Sequence, residues 1–327
     1  VLLIGENAEN TIIDGEDIGN VVEVTSSDVF INSFTIQNSN RSAGTSFAGI
    51  RVLGSRCNVT QNQVTKSKIG ILLVVSEGNA VRDNVVTGNG HGVSLYDCNG
   101  NVVDFNVFSG NTIGISLAFS SGNVVANNDV RNSSAGGHGV TLQSNSFNNT
   151  VSDNNLVLNY HGMWLSNSFD NRIVRNTFAD NELLGLELSN SPGNLFYHNN
   201  FIDSPTLVKI GANSTCSWDS GCEGNYWSNY NGADPDEDGI GDEYLPWEGV
   251  DYYPLMNIYW NPGDINHDLK VNMRDVGGAA RAFSTEPGDE RWNCHADITG
   301  LKYLLPDNKV DMRDIGLVAS QFGDTYY

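Results

Sequence analysis

The acidic residues of this chain are unevenly spread, and where they gather they alternate. In "NGADPDEDGIGDEYL", Asp234, Asp236 and Asp238 take every second position, Gly239 turns the chain and Asp242 returns. Carboxylates drawn together in so tight a loop repel one another unless a cation stands among them. A hard ion such as Ca2+, which takes about six to eight oxygens, meets that need. The Ile240 carbonyl is the expected backbone ligand. The competing reading is a solvated acidic linker.

Two further segments carry the same chemistry. "DINHDLKVNMRD" has the spacing of a twelve-residue EF-hand-like loop. Asp264, Asn266, Asp268, Asn272 and Asp275 fill positions 1, 3, 5, 9 and 12, with the Lys270 carbonyl at 7. A second copy reads "DITG…DNKVDMRD". Aligning Lys309 with Lys270 puts Asp307, Asp311 and Asp314 in ligand places, and Asp297 and Thr299 complete the set across an insertion at 301–306. Each loop leads into a predicted helix, one with Val276, Ala280 and Phe283 on its apolar face, the other with Ile315, Val318 and Phe322. Leu269 stands at position 6, where such a loop calls for glycine, so the first site is expected to be strained or weakened.

The elements ahead of these loops form a repeat. Asn79, Asn101, Asn123, Asn149, Asn171 and Asn194 recur at intervals of 22, 22, 26, 22 and 23 residues, each followed five positions later by a second asparagine. Apolar residues between them alternate with period two, which predicts strands. Short strands, Asn and Gly corners and a period in the low twenties predict a mostly β fold, a right-handed parallel β-helix of about nine coils. Its turns stack to bury a continuous core. The asparagines Asn84, Asn106, Asn128, Asn154 and Asn176 should superpose as a hydrogen-bonded ladder. Fainter copies start at Asn58, which should therefore be poorly accessible. The expected divisions are a β-helix over 1–214, a capping segment with the acidic loop over 215–260, and a small α-helical module over 261–327.

The outer faces of the column carry no acids in adjacent turns. Glu187 is alone on its face, so polysaccharide cleavage, which needs paired carboxylates, is not expected and the chain is read as a non-enzyme. Trp164 and Tyr96 share that face and could stack on sugar rings or brace strands. His91, His138 and His161 share one column, but so do Ile69, Ile113 and Leu184, which marks it as half buried. Packing and metal binding both remain open there.

The repeat resembles the NosD-like right-handed β-helices, also grouped with carbohydrate-binding and sugar-hydrolase domains. The likeness runs over roughly residues 1–255, including "LIGENAENTIIDG" and "GNYWSNYNGADPDEDGIGDEYL…DYYPLM", a combination common in archaeal surface proteins. NosD-like proteins are associated with copper delivery. The duplicated loop–helix resembles a type I dockerin, which implies calcium binding and docking to a cohesin domain. Met273, Arg274, Met312 and Arg313, at the two helix starts, are then the expected partner surface.

The net charge of −22 over 327 residues argues against nucleic acid. No apolar run approaches the ~18 residues of a membrane helix. The first residues read as a strand already under way, so sequence upstream is expected. Cys216 and Cys222 lie close together and could form a disulfide; Cys57, Cys98 and Cys294 have no obvious partners. Sequons at Asn40, Asn132 and Asn213 are candidate glycosylation sites. Together these features predict a secreted, calcium-stabilised structural or adhesive surface protein. It would couple through residues 261–327 to a cohesin-like partner or end to end with its own copies, as in a filament. The alternative is a polysaccharide-binding or polysaccharide-degrading protein.

Overall fold

The computed structural model describes residues 1–42, 46–299 and 306–326. They divide into two compact units, Val1–Phe196 with Phe201–Ser217, and Tyr197–Asn200 with Trp218–Tyr327. Residues 218–260 thus belong with 261–327 and not to a separate part. Most of the insertion at 301–306, and part of the loop near residue 40, lie outside the described residues.

The first unit is the parallel β-helix. Three sheets run its length, starting at Leu2–Ile4, Ile12–Asp14 and Val22–Val24, and the first and third each hold nine strands among the described residues. Each strand pairs in parallel with its equivalent one turn on, as in Val81↔Val103 and Val86↔Phe108. One turn comprises strands Ala80–Arg82, Val85–Thr87 and His91–Tyr96. Its inward residues Val81, Val86, Val93 and Leu95 are all buried. The glycine before each apolar pair is there because backbones approach closely: a Cβ on Gly162 would stand 2.4 Å from the Gly185 carbonyl oxygen.

The ladder forms as expected. The Asn84 backbone N–H and Nδ2 donate to Asn106 Oδ1 at 2.9 and 3.0 Å, and Asn106 repeats this with Asn128 at 3.0 and 3.0 Å. The asparagines, however, are not the left-handed corner residues. The residue before each one is: Asp83, Phe105, Asn127, Asp153 and Arg175 all have φ near +55°. Asparagine is used for its amide, which satisfies backbone groups that the corner exposes. A third ladder also runs through Asn89 and Asn111, at 2.9 Å. At the start of the repeat the ladder position belongs to Cys57, whose N–H donates to Asn79 Oδ1 at 2.8 Å. Asn58 therefore lies outside the ladder and is exposed, contrary to expectation. Of the three candidate glycosylation sites, Asn132 and Asn213 are exposed and Asn40 is half-buried.

The second unit holds two helices, α1 (Met273–Ala282) and α2 (Met312–Ser320), and a short 3-10 turn at Cys294–Ala296. Both helices begin with reciprocal caps, Asn272 with Asp275 and Asp311 with Asp314. The core is Ile265, Val271, Ala279, Ala282, Ala296, Ile298, Val310 and Val318, with Val276 and Ile315 packed against it. Ala280, Phe283 and Phe322 point outward, so the buried stripe of α1 is rotated from the predicted one, whereas α2 turns Ile315 and Val318 to the core as predicted. Small Ala279 and Ala282 fill the interface instead, which leaves both phenylalanines on the surface.

Candidate metal centres

Outside the insertion the two loop–helix copies correspond position for position. Asp275 Oδ1 accepts from the Ile265 and Asn266 N–H groups at 2.9 and 3.3 Å, and Asp314 Oδ1 accepts from Ile298 and Thr299 at 3.0 and 2.8 Å. Thr299 thus occupies the place of Asn266. Each loop also bonds to the segment after the other helix. Val271 pairs with Gly323 and Asp324, and Val310 with Ser284 and Thr285, all within 3.1 Å. The pair is therefore pseudo-symmetric.

All three acidic loops share one backbone arrangement. The first aspartate takes the N–H groups of positions 5 and 6. Asp264 accepts from Asp268 and Leu269 at 3.1 and 2.9 Å. Asp297 accepts from Asp307 and Asn308 at 3.1 and 2.7 Å, across the insertion. Asp234 accepts from Asp238 and Gly239 at 3.2 and 3.0 Å. Position 6 is left-handed in each, with φ of +64° at Leu269, +62° at Asn308 and +90° at Gly239. Leucine therefore adopts the conformation that the sequence pattern reserves for glycine.

These loops hold carboxylate oxygens that protein groups leave over. Asp268 Oδ1 and Asp307 Oδ1 are buried without a hydrogen-bond partner among the described residues. Burial pushes the Asp264 carboxyl up, and lifts Asp297 to about 6 with help from Asp314 and Asp307. Asp236 is raised first by the charge of Asp238. Oxygens of Asp234, Asp236 and Asp242 lie within 4.8 Å of one another. The donor set is one a hard divalent cation fits. At the helix starts Met273, Arg274, Met312 and Arg313 are all exposed, and Arg313 is also paired with Asp307 and Asp311 at 2.7 and 2.8 Å.

A different cluster has no forerunner in the sequence pattern. Glu223, itself buried, meets three of the chain's six histidines. His267 Nε2 lies 2.8 Å from Glu223 Oε1; His295 Nδ1 contacts the same oxygen and His198 Nε2 contacts Oε2. Burial works against the carboxylate, but attraction to His198 and His295 outweighs it and holds Glu223 well below its usual range. Burial likewise opposes the His295 imidazolium, and the Glu223 charge overcomes it and raises that histidine. Neighbouring cysteines tie the cluster together. Cys222 and Cys294 form a disulfide. This corrects the expected Cys216–Cys222 pair: Cys216 is a free thiol, and the nearer cysteine in sequence is not the nearer in space.

On the column, His138 and His161 stack edge-on at 4.8 Å, and His138 lies flat on Trp164 at 5.3 Å. Burial lowers both histidines, His138 to about 4 with a smaller push from His161. Glu187 is paired with Lys209 at 2.6 Å. Among the described residues, clusters of three or more potential ligands occur at Glu223 and at Asp234, not on this column.

No helix among the described residues is long and apolar enough to cross a membrane. No curated protein sequence matches the chain significantly. Among solved structures, the periplasmic alginate epimerase AlgG is similar with a TM-score of 0.50 and 18% identity, over 69% of this chain and 63% of that one. The CBA120 bacteriophage tailspike protein 2 has a TM-score of 0.49 at 12% identity, over 62% and 36%. The AlgE6 A-module of Azotobacter vinelandii, a mannuronan C-5 epimerase, has 0.45 at 13%, over 66% and 83%. The chain thus spans less than two thirds of the length of AlgG, and the likeness is one of fold. Residues 20–232, covering most of the column and the approach to the acidic loop, match the family described as periplasmic copper-binding protein (NosD), and the chain belongs to that family.

Proposed function

We propose that this protein is a coupling protein of the cell exterior, in which a β-helix serves as a passive support and calcium organises a dockerin-like module. The observation that carries this reading is the threefold recurrence of one loop, with its first aspartate receiving two N–H groups and its sixth residue left-handed. The unpartnered oxygens of Asp268 and Asp307 support a cation in the two C-terminal loops. The Cys222–Cys294 disulfide and the periplasmic setting of the family support an oxidising compartment. The symmetric surface of Met273, Phe283, Met312 and Phe322 is exposed and apolar, as a partner-binding face needs. A cohesin-like domain or a second copy is the partner class.

Isothermal titration of the full chain should show three calcium equivalents, falling to two in Asp268→Ala and in Asp307→Ala. Capture by an immobilised cohesin, or self-association in sedimentation velocity, should require calcium and be lost in a Met273→Asp/Met312→Asp double variant. No calcium uptake, or association indifferent to both changes, would remove the reading. A second reading, polysaccharide binding on the column, is favoured by the half-exposed Trp164 beside His138. It requires that Trp164→Ala weaken retention on a polysaccharide such as alginate.

A further inference from the structure

We propose that Glu223, His267 and His295 form a site for one divalent transition-metal ion of borderline softness, with zinc as its type, and that His198 holds the second Glu223 oxygen. The donor set is two imidazoles and a carboxylate, with a fourth position for water, which suits such an ion and not the oxygen-seeking calcium of the acidic loops. It holds no sulfur, so a soft monovalent ion is ill matched. A tetrahedral ion with bonds of about 2.0 Å needs ligand atoms roughly 3.3 Å apart. The ligating atoms of Glu223, His267 and His295 lie within 4.8 Å of one another, and His198 Nε2 reaches the second Glu223 oxygen.

Each residue of the cluster is also fixed by its surroundings. His198 stands at a corner with φ of +58°, its N–H bonded to the Gly224 carbonyl at 2.6 Å and its ring stacked on Tyr259 at 4.0 Å. His267 sits inside the first C-terminal loop, and its carbonyl accepts from Asn257 Nδ2 at 3.0 Å. His295 is carried by the 3-10 turn capped by Asn293. The Cys222–Cys294 disulfide locks Glu223 beside His295 through their immediate neighbours. Side chains of His198, Glu223 and His267 are 6–7% exposed and that of His295 19%, so the cluster is closed except on the His295 side. An ion there would be nearly enclosed, with one way in. The site stands apart from the calcium reading, although His267 lies between Asn266 and Asp268 of a proposed calcium loop.

The test uses the full, disulfide-intact chain, freed of metal and kept in saturating calcium so that the acidic loops are occupied. Titration with Zn2+ should reveal one tight equivalent. Glu223→Gln and His295→Gln should each weaken it by more than about 100-fold, beyond what loss of an outer-shell partner costs. Co2+ in the unaltered protein should give the intense visible bands of a four-coordinate ion, bleached by one equivalent of zinc, and this reads the site whatever the variants do to folding. A six-coordinate cobalt spectrum unaffected by zinc, or zinc binding unchanged in both variants, would overturn the proposal.

Discussion

The two units use polar groups in opposite ways. In the column the buried ladder asparagines answer their copies one turn away. Asn128 donates to Val103, Ala126 and Asn154 and accepts twice from Asn106, which leaves nothing over for a ligand. In the C-terminal unit buried polar groups converge and are not used up: Asp268 and Asp307 keep a free oxygen, and three histidines crowd one glutamate. The ladders satisfy themselves, although Ser152 and the column histidines His91, His138 and His161 keep buried side-chain atoms without a hydrogen-bond partner among the described residues; the convergent carboxylates and the Glu223 cluster lie where the repeat stops.

The largest effect that would test this contrast lies in the ladder. Asn128→Ala should destabilise the column by about 3–5 kcal/mol, because it strands several buried backbone and side-chain groups at once. Calcium stoichiometry should be unchanged. A denaturation midpoint close to wild type would mean that the ladders are ornament and the column rests on its apolar core alone.

A smaller effect concerns Asp251 in the C-terminal unit. Its carboxylate accepts from Asn225 N–H at 2.9 Å, Trp227 Nε1 at 2.8 Å and Tyr253 N–H at 3.0 Å, yet burial pushes its pKa up to about 6. A carboxyl raised in the folded state stabilises fully below its unfolded value, near 4, and loses that contribution as pH rises through 6. The stability gap between wild type and Asp251→Asn should therefore shift against the wild type by about 3 kcal/mol between pH 4 and 7. A gap that stays flat in chemical denaturation over that range would show Asp251 to be ionised throughout.

The smallest effect is at Leu269, whose φ of +64° is strained for a side chain. Leu269→Gly should relieve about 1 kcal/mol and tighten the first C-terminal calcium site. Weaker calcium binding would show that packing of the half-buried leucine matters more than the backbone.

The column is legible because its signal repeats: one Asn per corner at a fixed interval forces one register. The acidic loops are legible because their carboxylates are local in sequence, and even the insertion before Asp307 leaves the spacing from Lys309 onward intact. Two things escape. The helix stripe is misjudged because Ala279 and Ala282 are weak hydrophobic markers beside Ala280 and Phe283, and packing room, not hydrophobicity, decides which side faces in. The histidine cluster escapes because Glu223 is separated from His198, His267 and His295 by 25, 44 and 72 residues, and no period joins them. The one mark is that Glu223 and His295 each follow a cysteine, and it becomes readable only once Cys222 is paired with Cys294 rather than with nearby Cys216.

The most direct test of the contrast between the units is hydrogen–deuterium exchange on the full chain, with calcium and with a chelator. Chelation should open residues 218–326 and leave the ladder amides of residues 58–195 as protected as before. Equal loss of protection in both units, or no change in either, would contradict the contrast.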